Sequence, residues 1–360
     1  MTTGPQPPAD LPADDEPPTD SPEHLQPAEF PPADDATGPP GATVFSLERR
    51  PAAGLYLVAW LLIGAGIGLT FIGLQAAEGL PRLLALAGLV VLALGLATAA
   101  GYQILARSDR PASAYRGPSP VLLFLLVIVV VNLFGGLLSA FTGIGGLDVD
   151  RPDVFVIGLL IQVFGYAGAV ALFVVGPRAL SWREMLRSGG RRARGALGDA
   201  ATAFGVMLPV TLVALIVGGL VAQLIGARPP QVVPLPQTPF DIALDVVAAV
   251  VLAPIGEELF FRGFALSAWL RDLGPRRALI RSAVFFALVH VLNVRVDSGG
   301  FDAGLRSAVV LLVVILPIGV VLGGLYLRRG LVASVAAHMT YNGIIFGLLL
   351  LTTLVPLPQG

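Results

Sequence analysis

The sequence predicts an all-α fold, a polytopic helical membrane bundle of about nine transmembrane helices, with a disordered N-terminal tail. Three observations carry this. The 360-residue chain is 55% hydrophobic and only 13% charged, with a mean hydropathy of +0.81, whereas soluble domains carry about 25% charge. Apolar runs of helix length recur through the chain, parted by breakers such as Gly145-Gly146, Gly189-Gly190, Pro229-Pro230 and Gly299-Gly300. Arginines gather in alternate connections between those runs, as the positive-inside rule requires.

Residues 1–45 contain no apolar h-region of a signal peptide. They are rich in Pro, Asp and Glu, as in Asp14-Asp15-Glu16-Pro17-Pro18 and Pro31-Pro32-Ala33-Asp34-Asp35. Such a segment cannot bury enough apolar area to offset its ordering entropy. It reads as a disordered, acidic cytoplasmic tail, with His24 solvated. Residues 46–230 read as five N-terminal transmembrane helices, and residues 231–355 as a catalytic core of four more.

A bilayer is crossed by about 20 apolar residues, which places spans at roughly 53–76, 83–106, 120–143, 154–176, 200–226, 242–267, 277–295, 307–327 and 331–354. Arg49 and Arg50 precede the first. Arg107, Arg110 and Arg116 follow the second, and Arg178, Arg183, Arg187, Arg191, Arg192 and Arg194 follow the fourth. Arg271, Arg276 and Arg277 follow the sixth, and Arg328 and Arg329 the eighth. The other connections are poor in Arg or carry acids such as Asp148, Asp150 and Asp153. The expected topology is therefore a cytoplasmic N-terminus and an outside C-terminus. Every basic residue is Arg, and Ala, Gly and Pro are abundant, which points to a GC-rich bacterial genome and a plasma-membrane location. Ser181–Arg187 fits either a short interfacial helix or an ordinary basic loop.

There are no cysteines, which excludes disulfides, thiolate catalysis and thiolate metal sites. No nucleic-acid partner is expected. The chemistry lies instead in polar clusters inside apolar runs, where a charge at a helix centre costs roughly 2.5–3.5 kcal/mol on translocon scales. Glu257-Glu258 precede Arg262, Phe286 precedes His290, and His338 precedes Asn342. On a helix Glu258 and Arg262 share a face and pair, while Glu257 points about 100° away from Glu258. Glu257 has no local cation and sits in an apolar run, a setting suited to a general base near neutral pH. Pro254 and Gly256 allow the helix to bend or admit water. Phe286 walls the pocket beside His290, and His338 and Asn342 share one side of the last helix. Asn suits a carbonyl or an oxyanion.

One Glu and two His also make a donor set for zinc, with Glu257, His290 and His338 as the ligands. The H-E-x-x-H motif is absent, and the sequence leaves both a metal-assisted and a glutamate-only mechanism open. Asn132, Gln162 and Gln223 are expected to make interhelical hydrogen bonds, and Arg281 to snorkel. Asp241 and Asp245 are expected to be solvated, and Asn293 is a further candidate for the His290 pocket.

In this order, the clusters resemble the signature of the CAAX protease and bacteriocin-processing family, also called the Abi or type II CAAX endopeptidase family. The pattern E-E-x-x-x-R, F-x-x-x-H, H-x-x-x-N is met by Glu257, Glu258 and Arg262, by Phe286 and His290, and by His338 and Asn342. The resemblance covers residues 240–350. It implies that Glu257 activates water and His290 helps to position it. It also implies that His338 and Asn342 form the oxyanion site, with Glu258, Arg262 and Phe286 in support. The implied substrate is a membrane-associated or lipidated protein or peptide, met within the lipid bilayer. Two other readings are open. One is a catalytically inactive scaffold or immunity protein. The other is a proton-coupled transporter, although no paired discontinuous helices stand in matching halves.

Overall fold

The computed structural model describes residues 50–75, 80–142, 151–187, 193–227, 236, 238–292 and 300–354, with residues 1 and 4. The rest of the 1–45 tail, His24 and Asn293 lie outside the described residues. The described residues form helices and no strand, so the all-α membrane bundle holds. Helices α1 (Ala53–Leu74) and α2 (Leu80–Ala106) form a tight hairpin. A Cβ on Gly66 would overlap Leu92 across it, and one on Gly88 would overlap Thr70. Small residues permit such approach where lipid supplies no hydrophobic drive between helices. Next come α3 (Pro120–Thr142) and α4 (Pro152–Val170), the latter running on through a π turn at Ala171–Val175.

The Ser181–Arg187 segment folds as a helix, α5 (Trp182–Leu186). Ser181 and Glu184 close a capping box at its start. Met185 is fully buried from it, whereas Trp182 and Leu186 stay exposed. The long α6 (Ala193–Ile225) follows.

The remaining chain builds the core around the polar clusters. It contains α7 (Pro239–Asp245), a π segment Val246–Leu252, α8 (Ala253–Glu258), a second π segment Leu259–Leu266, and α9 (Ser267–Leu292). It ends with α10 (Gly300–Arg329) and α11 (Leu331–Leu354). Eight helical stretches among the described residues are long and apolar enough to cross a membrane, and one of them, Pro239–Leu292, has 54 residues. As one rod it would reach about 80 Å, over twice the hydrocarbon thickness. It is no single rod, because Gly274 takes φ 73° and ψ 172° and Pro275 follows it. The two arms fold together: Trp269 meets Phe285 at 5.7 Å between ring centroids, Phe261 meets Phe286 at 5.2 Å, and Arg281 lies 4.9 Å over Trp269. Among the described residues, the eight stretches therefore hold nine candidate crossings.

Several polar residues depart from expectation. Asn132 donates to its own helix at Ile128 O, and Gln162 to Tyr166 on α4, so neither bridges helices. Gln223 is exposed. Asp241 caps α7 at Thr238. Asp245 is not solvated. It is fully buried, and neither carboxylate oxygen has a hydrogen-bond partner, because one turn of helix carries it off the capped end and into the bundle.

Candidate active site

Glu257 and Glu258 end the short α8, between two π segments. A π turn widens the helix and displaces side chains from their α-helical azimuth, and such turns are frequent at functional sites. The widened register also frees a carbonyl. Ala253 N–H donates back five residues to Ala248 O. In the same register Ala249 O faces residue 254, a proline without an N–H. Asn342 of α11 fills that vacancy, its Nδ2 donating to Ala249 O at 2.7 Å. Gly256 serves a different purpose: a Cβ there would come 2.7 Å from Val163 Cγ2, so only glycine lets α4 lie this close.

Glu258 is fully buried and holds three groups. Arg262, also fully buried, donates to its Oε1 at 2.7 Å, the pairing expected from the i, i+4 spacing. His338 Nδ1 lies 2.9 Å from the same oxygen, and Ser334 Oγ donates to Oε2. Arg262 further donates to Gly319 O at 3.4 Å and lies 4.0 Å above the Phe286 ring. Buried charges persist only when paired and hydrogen-bonded in this way. Phe286 also packs against both imidazoles, with its centroid 4.4 Å from His290 and 5.7 Å from His338. It is thus the floor of the site as well as the wall expected beside His290.

The imidazole tautomers follow from their rear partners. His290 Nδ1 lies 2.8 Å from Phe286 O, a carbonyl that only accepts, so Nδ1 carries a proton. His338 Nδ1 faces the Glu258 carboxylate and donates to it. Both Nε2 atoms therefore point forward, and they point at one atom. Glu257 Oε2 lies 3.6 Å from His290 Nε2 and 3.9 Å from His338 Nε2. That oxygen is buried and has no hydrogen-bond partner. The structure thus brings Glu257, His290 and His338 together, backs them with Glu258, Arg262 and Phe286, and sets Asn342 on the same helix one turn beyond His338.

In donor chemistry the three forward atoms suit zinc, and the rear hydrogen bonds on both imidazoles are the support that metal ligands usually have. Among the described residues, however, no group of three His, Asp or Glu side chains closes into a cage for an ion. Ser334 was not singled out from sequence, yet the signal was present: Ser334, His338 and Asn342 repeat at i, i+4 and i+8 on one face of α11. The second role of Glu258, orienting His338, had no such local signal.

Neither the search of curated proteins nor the search of solved structures found a match. A family model does match, and it spans residues 239–344, which hold Glu257, Glu258, Arg262, Phe286, His290, Ser334, His338 and Asn342. Its description is type II CAAX prenyl endopeptidase, Rce1-like, and the chain carries a domain of that CAAX-protease family.

Proposed function

We propose that this chain is an intramembrane endopeptidase that hydrolyses a peptide bond of a membrane-associated or lipid-modified protein or peptide. The observation that carries the reading is Glu257 Oε2, a buried acceptor without a donor, faced by two imidazole nitrogens that are fixed from behind. A water molecule at that point donates one hydrogen to Glu257 Oε2 and the other to His290 Nε2. Glu257 takes a proton from this water, and His290 orients it toward the scissile carbonyl. The water oxygen bonds to the carbonyl carbon and the carbonyl becomes an oxyanion. Glu257 then returns the proton to the departing amine, and the C–N bond breaks. The remaining N–H of Asn342 faces the oxyanion, and the His338 imidazole, held by Glu258, borders it. Glu257 and His290 are partly exposed while Glu258 and Arg262 are sealed, so substrate approaches from the Glu257 and His290 side. The arginine pattern puts the N-terminus in the cytoplasm.

The test is cleavage of a lipid-modified reporter peptide, and of membrane-protein termini in cells, by wild type and by Glu257→Gln. Loss of at least about 100-fold in kcat at equal abundance is expected. Retained cleavage in the variant refutes the reading and favours a scaffold.

A metal-assisted route is a second reading, supported by the orphaned oxygen between two Nε2 lone pairs. Glu257, His290 and His338 are the residues that would hold zinc, and the ion would polarise bound water. Stoichiometric zinc in purified wild type, absent from His290→Ala, would support it. Metal-free protein with full activity would refute it.

A further inference from the structure

The site is rich in hydrogen-bond acceptors and short of donors. His290 and His338 each commit their Nδ1–H to the rear, and Asn342 commits one N–H to Ala249 O. A tetrahedral intermediate needs donors aimed at its oxyanion. One buried donor stands beside the site and comes from α4, outside the 239–344 match. Tyr166 is 1% exposed, and its oxygen accepts from Gln162 Nε2 at 2.9 Å. Its own O–H has no acceptor among the described residues.

Packing fixes where this phenol lies. The Tyr166 ring stacks on Phe260 at 4.5 Å with an interplanar angle of 29°. One turn earlier, Val163 closes on Gly256. Thus α4 runs beside residues 256–260 in the same sense, and Glu257 lies between the two contact points. The Glu257 carboxylate is within electrostatic reach of the phenol.

We propose that Tyr166, oriented by Gln162, donates a hydrogen bond to the oxyanion that forms on the substrate carbonyl beside Glu257. The phenol keeps its proton throughout and no bond to it is made or broken. The proposal rests on the endopeptidase reading, and it makes the N-terminal helices part of the active site rather than a separate anchor.

The test uses the full-length protein in detergent and a lipid-modified reporter peptide that the wild type cleaves. Tyr166→Phe keeps the ring stacked on Phe260 and removes only the hydroxyl. The expected result is a kcat lower by about 100-fold, with KM within about twofold and an unchanged thermal midpoint. Gln162→Leu should cost about tenfold in kcat alone and almost nothing on top of Tyr166→Phe, since both act through one hydroxyl. Wild-type kcat in Tyr166→Phe overturns the proposal, as does a change confined to KM or to the thermal midpoint. Glu257→Gln, assayed in parallel, separates the two readings. If it is inactive while Tyr166→Phe is fully active, only the Tyr166 role falls. If it cleaves normally, the endopeptidase reading falls and the Tyr166 role falls with it.

Discussion

Glu258 is the residue on which the interior balance turns. Its two oxygens serve Arg262, His338 and Ser334 without access to water. Removing one partner of a buried pair leaves an uncompensated charge and typically costs about 3–5 kcal/mol. Arg262→Met should therefore destabilise the fold by about that amount, read from denaturant unfolding in detergent. An unchanged midpoint would show that the pair contributes nothing net. Ser334→Ala removes one hydrogen bond behind His338 and leaves the packing intact. Support of this kind is worth about 10- to 100-fold in activity where it has been measured at metal sites. The expected effect is a fall in kcat of about tenfold with KM unchanged, measured on the reporter peptide. The pairs Glu258–Arg262 and Phe286–His290 were legible in the sequence because both lie four residues apart on one helix. The Glu258–His338 contact spans 80 residues, so no local spacing reveals it.

Among the elements, the π segment before α8 has the clearest consequence. Pro254 leaves Ala249 O without a helical donor, and Asn342 supplies one. Asn342→Leu should cost about 1–3 kcal/mol for the buried carbonyl left unpaired. Adding Pro254→Ala gives the helix its missing N–H and should restore the thermal midpoint. Activity should stay low if Asn342 also faces the oxyanion. Restored activity in the double variant would make its role purely structural. The sequence marks Pro254 and Gly256 as a place to bend, yet here they create a carbonyl for α11 and a close approach for α4. That difference is one of packing, since the partner of each lies on another helix.

For the whole molecule, α5 ties the arginine-rich connection after α4 to α9. Arg271 donates to Ala179 O at 3.0 Å and pairs with Glu184, which also caps α5 through Ser181. Partial burial alone would raise the Glu184 carboxyl, but the Ser181 bonds and Arg271 outweigh it and hold it below its ordinary value of 4.5. A depressed folded-state value means stability that is present above the unfolded value and lost as pH falls through the folded one. The thermal midpoint should therefore drop below about pH 4.5, and Glu184→Gln should flatten that slope. Exposure of the pair keeps the effect small. A variant with the wild-type acid slope would place the loss elsewhere. Asp245 offers the opposite case, a buried carboxylate without a partner. Asp245→Asn should raise the thermal midpoint, because a neutral amide costs less to bury than an unpaired charge. A lower midpoint would mean that the carboxylate has a use in the fold.

The membrane setting, the helical bundle and the residues of the proposed site are readable from the sequence alone. Apolar length, arginine placement and i, i+4 spacing are local quantities, written along one chain. Only the tertiary structure decided which imidazole faces which carboxylate, that Glu258 serves His338, and that α4 lies beside Glu257. The reason is geometric. Two π segments shift the azimuth around Glu257 away from a 3.6-residue projection, and the meeting of helices far apart in sequence is set by where glycines permit backbones to close.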